Sequence, residues 1–79
     1  MDDAPQPAPT STVGEKHRVI ARHGLLMREG PGQQFPVVGG LSNGQIVFVV
    51  SITDGFARVD VEGDGQIDGF ASAAFLERA

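Results

Sequence analysis

The sequence contains no cysteine, so the chain can form no disulfide framework, no thiolate zinc site and no cysteine nucleophile. Basic residues are also scarce, with six Lys and Arg against ten Asp and Glu and a formal net charge of −4 at pH 7. Nucleic acids and anionic membranes both favour basic surfaces, so we expect neither as a partner. No apolar run approaches the length that spans a bilayer, so membrane insertion is not expected.

Tryptophan and tyrosine are absent as well, and all five aromatic residues are phenylalanines. The length of 79 residues allows one small domain. The chain is 41% hydrophobic but only 6% aromatic, and it contains 11 Gly and 5 Pro. This composition favours short strands joined by turns over packed helices.

Residues 1–15 differ in composition from the rest of the chain. Pro5, Pro7 and Pro9 stand at alternate positions, and only Val13 offers a large branched side chain. Alternating prolines favour an extended chain, and so few apolar side chains leave the entropy of ordering without compensation. We therefore predict a disordered Pro-rich tail or linker at 1–15, with no signal peptide in this chain, and a folded domain at 16–79.

Apolar and polar residues alternate in the rest of the chain, and this period of two is typical of β-strands. Asn43-Gly44 and Asp54-Gly55 are dipeptides that tolerate positive φ in tight turns, and they bracket the longest strand. We predict an all-β fold, a small, partly open barrel of five or six short antiparallel strands with one short helical turn near the C-terminus. The predicted strands are 17–21, 25–28, 45–53, 56–61 and 66–71, and the helical turn lies within 72–76.

Alternation within the strand 56–61 also predicts which of its side chains are buried. Ala57 and Val59 share the face that packs on the core, whereas Arg58 and Asp60 share the face exposed to water. We therefore expect Asp60 to begin an exposed acidic turn.

The stretch from Asp60 to Asp68 has part of the spacing of a calcium loop. Oxygen donors stand at positions 1, 3, 5 and 9 and a glycine at position 6, as in the start of an EF-hand. Position 12 is Ala71, where that loop requires a bidentate Glu, and predicted strands flank the stretch instead of helices. An EF-hand is therefore excluded, and we predict an acidic β-turn. A weak calcium site at Asp60, Asp64 and Asp68 is the alternative.

No arrangement of residues in the sequence predicts catalysis. The four serines lie in the tail, a turn, a strand and the closing segment, and no G-x-S-x-G motif is present. His17 and His23 have no third ligand that would complete a metal site, and we expect both on the surface. We therefore predict a monomer with no catalytic residue, no metal and no cofactor.

Four segments stand in a distinctive order and spacing along the chain. They read LLMREGP at 25–31, FPVVGGLSNG at 35–44, GFARV at 55–59, and GFA at 69–71 followed by FL at 75–76. This pattern resembles the bacterial SH3-like (SH3b) domain family over most of the predicted domain. The resemblance implies an SH3-like β-barrel with a binding role, carried by a protein that lies outside the cytoplasm.

The chain departs from the family pattern at the aromatic positions. The family usually has Trp where this chain has Phe56 and Phe70, Tyr where it has Phe35 or Phe75, and Asn where it has Leu26. A surface with phenylalanine alone offers apolar area but no hydrogen-bond donor from a ring. These departures weaken the case for the polyproline recognition that eukaryotic relatives perform.

The core is predicted from alternation within the matched segments. Leu25 and Met27 stand two residues apart, so their side chains point the same way into the barrel. The remaining predicted core comprises Val38, Leu41, Val59, Ala71 and Leu76.

If the barrel curls as its relatives do, the loop 29–36 lies beside the turn at Asp54-Gly55 and forms a groove. The residues predicted on or near this groove are Arg28, Glu29, Gln33, Gln34, Phe35, Phe56 and Phe70. Phenylalanine rings suit apolar or sugar-ring surfaces of a ligand, and the polar side chains suit a peptide carboxylate or amine. The alternative is that Phe35 and Phe70 plug the ends of the barrel.

The expected function is that of a non-catalytic binding or targeting module. By resemblance, it anchors a parent protein to cell-wall peptidoglycan or its peptide stems, in the periplasm, in the wall or in the medium. One alternative is a protein–protein interaction domain that docks a partner polypeptide through its loop face or open sheet edge. Another is a structural spacer whose acidic loop is stiffened by calcium.

Overall fold

Short strands and tight turns account for residues 14–79, the part of the chain that the computed structural model describes. Most of the tail predicted at 1–15 falls on residues 1–13, which lie outside the described residues, while Glu15 already belongs to the first strand. A 3-10 helix, Ala73–Phe75, precedes the last strand. The strands are β1 (Glu15–Val19), β2 (Leu25–Arg28), β3 (Val37–Leu41), β4 (Ile46–Thr53), β5 (Phe56–Asp60), β6 (Gly69–Ser72) and β7 (Leu76–Arg78).

The seven strands form one antiparallel sheet in the order β3-β2-β6-β5-β4-β1-β7. β3 and β7 are the edges, and since they do not pair with each other the sheet does not close. The prediction of an all-β, partly open fold with one helical turn near the C-terminus is confirmed. Alternation alone did not single out β3, where Gly39 and Gly40 interrupt the pattern, or β7, which has three residues.

The β4–β5 hairpin follows from its turn dipeptide. Asp54 and Gly55 have φ values of +52° and +80°, and a two-residue hairpin turn of type I′ requires positive φ at both positions. Thr53 and Phe56 pair directly across this turn. The turn chemistry read from the sequence therefore sets where β4 ends and β5 begins.

The core lies on the inner face of the curled sheet. Leu25 and Leu76, both predicted in the core, are only partly buried and pack against it. The buried apolar side chains are Val19, Ala21, Met27, Leu41, Val47, Val49, Ala57, Val59 and Ala71.

The prediction that Val38 lies in the core is wrong, since 53% of this residue is exposed. Met27 pairs with Gly39 and Arg28 pairs with Val37, so Val38 is the extra residue of a β-bulge in an edge strand. A bulge breaks the alternation of side chains between the two faces. The period of two therefore assigns the wrong face at this position.

Two polar side chains predicted at the surface are buried. His17 is 8% exposed because β1 lies inside the sheet, between β4 and β7, and pairs this histidine with the buried Val47. The Nδ1 atom of His17 lies 2.9 Å from the carbonyl oxygen of Glu15. Asp60 is completely buried because the loop after β5 folds over it. The surface prediction is wrong for both residues.

The 3-10 helix is fixed to the sheet by two backbone hydrogen bonds. The N–H of Ala73 donates to the carbonyl of Gly55 at 2.9 Å, and the N–H of Ile20 donates to the carbonyl of Phe75 at 2.8 Å. Phe75 is thereby held close to the β4–β5 turn, with 47% of the residue exposed. In the described part of the chain no helix is both long and apolar enough to cross a membrane.

Candidate ligand-binding groove

The pairing of β2, β6 and β5 places two arginines and a phenylalanine in one row across the sheet. Arg28 pairs with Phe70, and Phe70 pairs with Arg58 on its other side. Directly opposed residues share a face of the sheet. Because Ala57 and Ala71, which flank this row along the strands, belong to the core, the row lies on the outer face.

A groove of about 350 Å³ opens beside this row on the same outer face. Phe56 pairs with Ser72, and Leu26 stands two residues before Arg28, so all three continue the outer face by one step. Phe75 joins them from the 3-10 helix. The groove is lined by Gly24, Leu25, Leu26, Arg28, Gln33, Phe56, Ser72 and Phe75.

Three of the side chains predicted from the sequence as binding residues lie together in this groove. Arg28 comes from β2, Gln33 from the following loop and Phe56 from the start of β5. Phe70 stands next to the groove, directly across from Arg28 in β6, and is half-buried. The sheet register therefore brings together residues that are up to 42 positions apart in the sequence, from Arg28 to Phe70.

The other three predicted binding residues lie on the loop 29–36 and do not line the groove. Glu29 and Gln34 are exposed. Phe35 is half-buried and its ring packs on Gly30, because a Cβ atom at Gly30 would lie 2.6 Å from Cδ1 of that ring. Phe35 therefore packs on its own loop.

Leu26, Ser72 and Phe75 line the groove although sequence reasoning did not name them as binding residues. Leu26 and Phe75 carried a usable signal, since both are positions where the chain departs from the family pattern. Leu26 is 53% exposed, so its side chain adds apolar surface to the groove. Ser72 carried no signal, because only its pairing with Phe56 places it there.

Arg28, the last residue of β2, holds the loop that follows it. Its Nη1 atom donates hydrogen bonds to the carbonyl oxygens of Gln33 and Phe35, at 3.1 and 3.0 Å. The N–H of Glu29 donates to the carbonyl of Pro36 at 2.9 Å and closes the base of the same loop. Hydrogen bonds from a guanidinium are stronger than neutral ones. One arginine therefore orders the loop and also lines the groove.

Asp60, the last residue of β5, holds the acidic loop with the opposite charge. Its Oδ1 accepts the N–H of Gly63 at 2.8 Å and that of Asp64 at 3.4 Å, and its Oδ2 accepts the N–H of Gly65 at 2.8 Å. Burial raises the pKa of this carboxyl, but the hydrogen bonds from Gly65, Gly63 and Asp64 outweigh burial and hold the pKa below its ordinary value. The carboxylate is therefore stabilised in its charged form.

The other two aspartates of this loop also bind its backbone. Oδ1 of Asp64 accepts the N–H of Gln66 at 2.9 Å, and Oδ2 of Asp68 accepts the N–H of Val61 at 2.8 Å. Across residues 14–79, no three His, Asp or Glu side chains are grouped closely enough to hold a metal ion. The predicted acidic turn is therefore organised by its own amides.

The region that matches a known protein family includes the whole of this groove. The family model of the bacterial SH3 domain matches residues 23–77, which is most of the chain. The matched region begins just before β2 and ends within β7, so it contains every residue that lines the groove. No curated protein and no solved structure gives a significant match to the chain.

Proposed function

The chain belongs to the bacterial SH3 domain family, and from this premise we propose that it is a non-catalytic module that anchors a parent protein to cell-wall peptidoglycan through its peptide stems. Domains of this family are generally binding modules and are often extracellular or associated with the cell wall. On this proposal the chain acts outside the cytoplasm, in the periplasm, in the wall or in the medium.

The observation that carries the proposal is an apolar groove that ends at an arginine. Leu26, Phe56 and Phe75 offer apolar surface, and the guanidinium of Arg28 stands at the same groove. A peptide stem presents small apolar side chains together with carboxylates, so it offers a partner for each part. Ligand sites generally combine an apolar lining with a few polar groups that fix orientation.

A protein partner is the second candidate, and the edge strand β3 favours it. Val37 and Val38 are 48% and 53% exposed, and within residues 14–79 one side of this strand has no neighbour in the sheet. An exposed edge can accept a further strand from another chain. The bulge at Val38 opposes such pairing, because it distorts the edge strand on which a partner strand would have to align.

An NMR titration of backbone amides with soluble peptidoglycan fragments tests the wall-anchoring proposal. We expect shifts clustered on the groove, at Leu26, Arg28, Gln33, Phe56 and Phe75. One small module can bind with a Kd of about 1 mM. If no amide shifts at about that fragment concentration, the proposal is contradicted. A response confined to β3 would instead favour a protein partner at the sheet edge.

A pair of matched variants tests whether the groove itself binds. Phe75→Ala removes an exposed ring that lines the groove. Ile52→Ala is the control: this side chain is 58% exposed, and because Ile52 pairs with the buried Ala57 it lies on the face of the sheet opposite the groove. We expect Phe75→Ala to weaken wall-fragment binding by roughly fivefold, the equivalent of about 1 kcal/mol of lost apolar contact. Ile52→Ala should bind as the wild type does, and equal losses in both variants would contradict the assignment.

A further inference from the structure

Two arginines of the outer face stand close together without a carboxylate partner among residues 14–79. Elsewhere in the domain Arg18 pairs with Glu77 at 2.9 Å and Arg78 pairs with Glu15. Arg28 and Arg58 have no such ion pair within the described residues. The contrast matters because acids outnumber bases in the chain by ten to six, so carboxylates are not in short supply.

The nearest acidic segment in sequence is 60–68, and its three aspartates are engaged elsewhere, while Glu62 is exposed. Asp60, Asp64 and Asp68 each accept backbone N–H groups of that loop. Asp60 would otherwise be the closest in sequence to Arg58, and it is completely buried. These three carboxylates are therefore held by the amides of their own loop, and within the described residues none of them forms an ion pair with Arg28 or Arg58.

The geometry of the row suits an anionic ligand. Arg28 and Arg58 flank Phe70, one strand away on either side, so their Cα atoms lie about 10 Å apart. Both internal hydrogen bonds of Arg28 use Nη1, and a guanidinium has five N–H donors, so further donors remain for a ligand. Because the bonds to the loop hold Arg28 in place, a ligand has less side-chain entropy to remove on binding.

We propose that Arg28 and Arg58, with Phe70 between them, form a carboxylate-binding row that selects an acidic peptide carrying two carboxylates about 10 Å apart. This inference rests on the proposed function and deepens it, because it names the chemical groups of the ligand that the site recognises. The apolar part of the peptide lies in the groove beside Phe56 and Phe75, and its carboxylates lie along the row. Arg58 is then a specificity-determining residue outside the groove lining.

Synthetic peptides test the row directly. The probe is N-acetylated alanyl-glutamyl-alanyl-alanine, whose side-chain and C-terminal carboxylates can span the row, and the control is the same peptide with Gln and a C-terminal amide. In an NMR titration to about 10 mM, we expect the diacid to shift Arg28, Arg58 and Phe70 and to bind at least tenfold more tightly than the diamide. Equal affinity for the two peptides would overturn the proposal. Equal shifts from inorganic phosphate would reduce the row to an unselective anion site and would also overturn it.

Matched arginine variants show whether both cations take part. Arg58→Gln should weaken diacid binding about fivefold, leave diamide binding unchanged and leave the melting temperature (Tm) unchanged, because its side chain is exposed. Arg22→Gln removes an exposed arginine from the turn after β1 and should have no effect on either peptide. If the two variants bind the diacid alike, Arg58 has no part in recognition and the proposal fails.

Peptidoglycan fragments separate this inference from the proposed function. Fragments that bind the groove equally well before and after amidation of their carboxylates would sustain wall anchoring and overturn the carboxylate row. Fragments that fail to bind while the diacid peptide discriminates would overturn wall anchoring and sustain the row, with an acidic protein segment as its ligand.

Discussion

The loops 29–36 and 61–68 are each held by one charged side chain at the end of a strand, and they differ in what that side chain leaves unused. Asp60 ends β5, is completely buried and uses both carboxylate oxygens on backbone N–H groups. Arg28 ends β2, is half-buried and uses Nη1 alone on two backbone carbonyls. The same device thus appears twice with opposite charge.

The two loops also share an aromatic ring packed on a glycine. The ring of Phe35 covers Gly30 in the first loop, and the ring of Phe48, from β4, covers Gly63 in the second. A buried ion whose hydrogen-bonding atoms are all in use organises its own loop. A half-buried ion with unused donors organises its loop and stays available to a ligand. We therefore regard the acidic loop as structural and the loop 29–36 as part of the proposed binding site.

The largest expected effect is on the acidic loop when its carboxylate is removed. Asp60→Ala removes the buried carboxylate that accepts the N–H groups of Gly63 and Gly65 and fixes the loop, and we expect Tm to fall by at least about 15 °C. Asp64→Ala is the matched control, because its carboxylate accepts one exposed N–H, and Tm should fall by about 3 °C or less. Thermal unfolding followed by circular dichroism measures both, and equal losses would contradict a structural role for Asp60.

A smaller effect is expected where the second loop meets Phe48. Gly63→Ala combines a φ of +72° with a Cβ atom 2.9 Å from Cε2 of Phe48, and we expect Tm to fall by about 10 °C. Gly44 has a similar φ, +86°, but no atom lies within 4 Å of a Cβ added there. Gly44→Ala therefore measures the backbone strain alone, and we expect Tm to fall by about 5 °C. If both variants lose the same amount, the contact with Phe48 contributes nothing.

Acid titration provides a third test of the buried carboxylate. Because the pKa of Asp60 is lower in the folded chain than its ordinary value of 3.8, its stabilising contribution is complete above that value and is lost as pH falls through the folded pKa. Between pH 5 and about pH 2, we expect Tm of the wild type to fall about 5 °C more than that of Asp60→Asn, which carries no titrating group there. If Tm falls with pH by the same amount in the two proteins, another carboxylate controls the loss of stability in acid.

The smallest effect on stability is expected from a substitution at Arg28, which holds the loop 29–36. Arg28→Lys keeps the charge but replaces the rigid guanidinium, whose Nη1 donates to both Gln33 and Phe35, with a flexible ammonium group, so Tm should fall by about 3 °C. Binding of the acidic peptide should nevertheless weaken about tenfold, because the remaining cation is no longer held in place. Arg22→Lys, measured in the same way, should leave Tm and binding unchanged. A large loss of stability with intact binding would reverse the distinction between the two loops.

Local features of the structure could be predicted from the sequence. The bounds of β2 agree with the predicted 25–28, and the Asp54-Gly55 turn joins β4 and β5 as its dipeptide indicates. The family resemblance, confirmed over residues 23–77, rested on the same short segments and their spacing. These features depend on a few neighbouring residues, which is why their signals are visible in the chain.

The candidate site could be predicted only in part. Arg28, Gln33 and Phe56 lie in the groove, but Leu26 and Phe75, its most exposed apolar members, were noticed only as departures from a pattern. The groove is assembled from β2, β5, β6 and the 3-10 helix, and no local spacing in the sequence records which of their residues become neighbours.

The all-β class, the turns and the family can be predicted from the sequence alone, because side-chain period, glycine-containing turn dipeptides and short motifs are properties of short segments. Met27, Leu41, Val59 and Ala71 are buried as alternation predicts, whereas the tertiary structure decided burial at the positions where alternation assigns the wrong face. A bulge turned Val38 outward, an interior position in the sheet buried His17, and a folded loop covered Asp60. Sheet register decided that Arg28 and Arg58 flank Phe70. Burial and register depend on contacts between distant segments, which alternation along one strand does not encode.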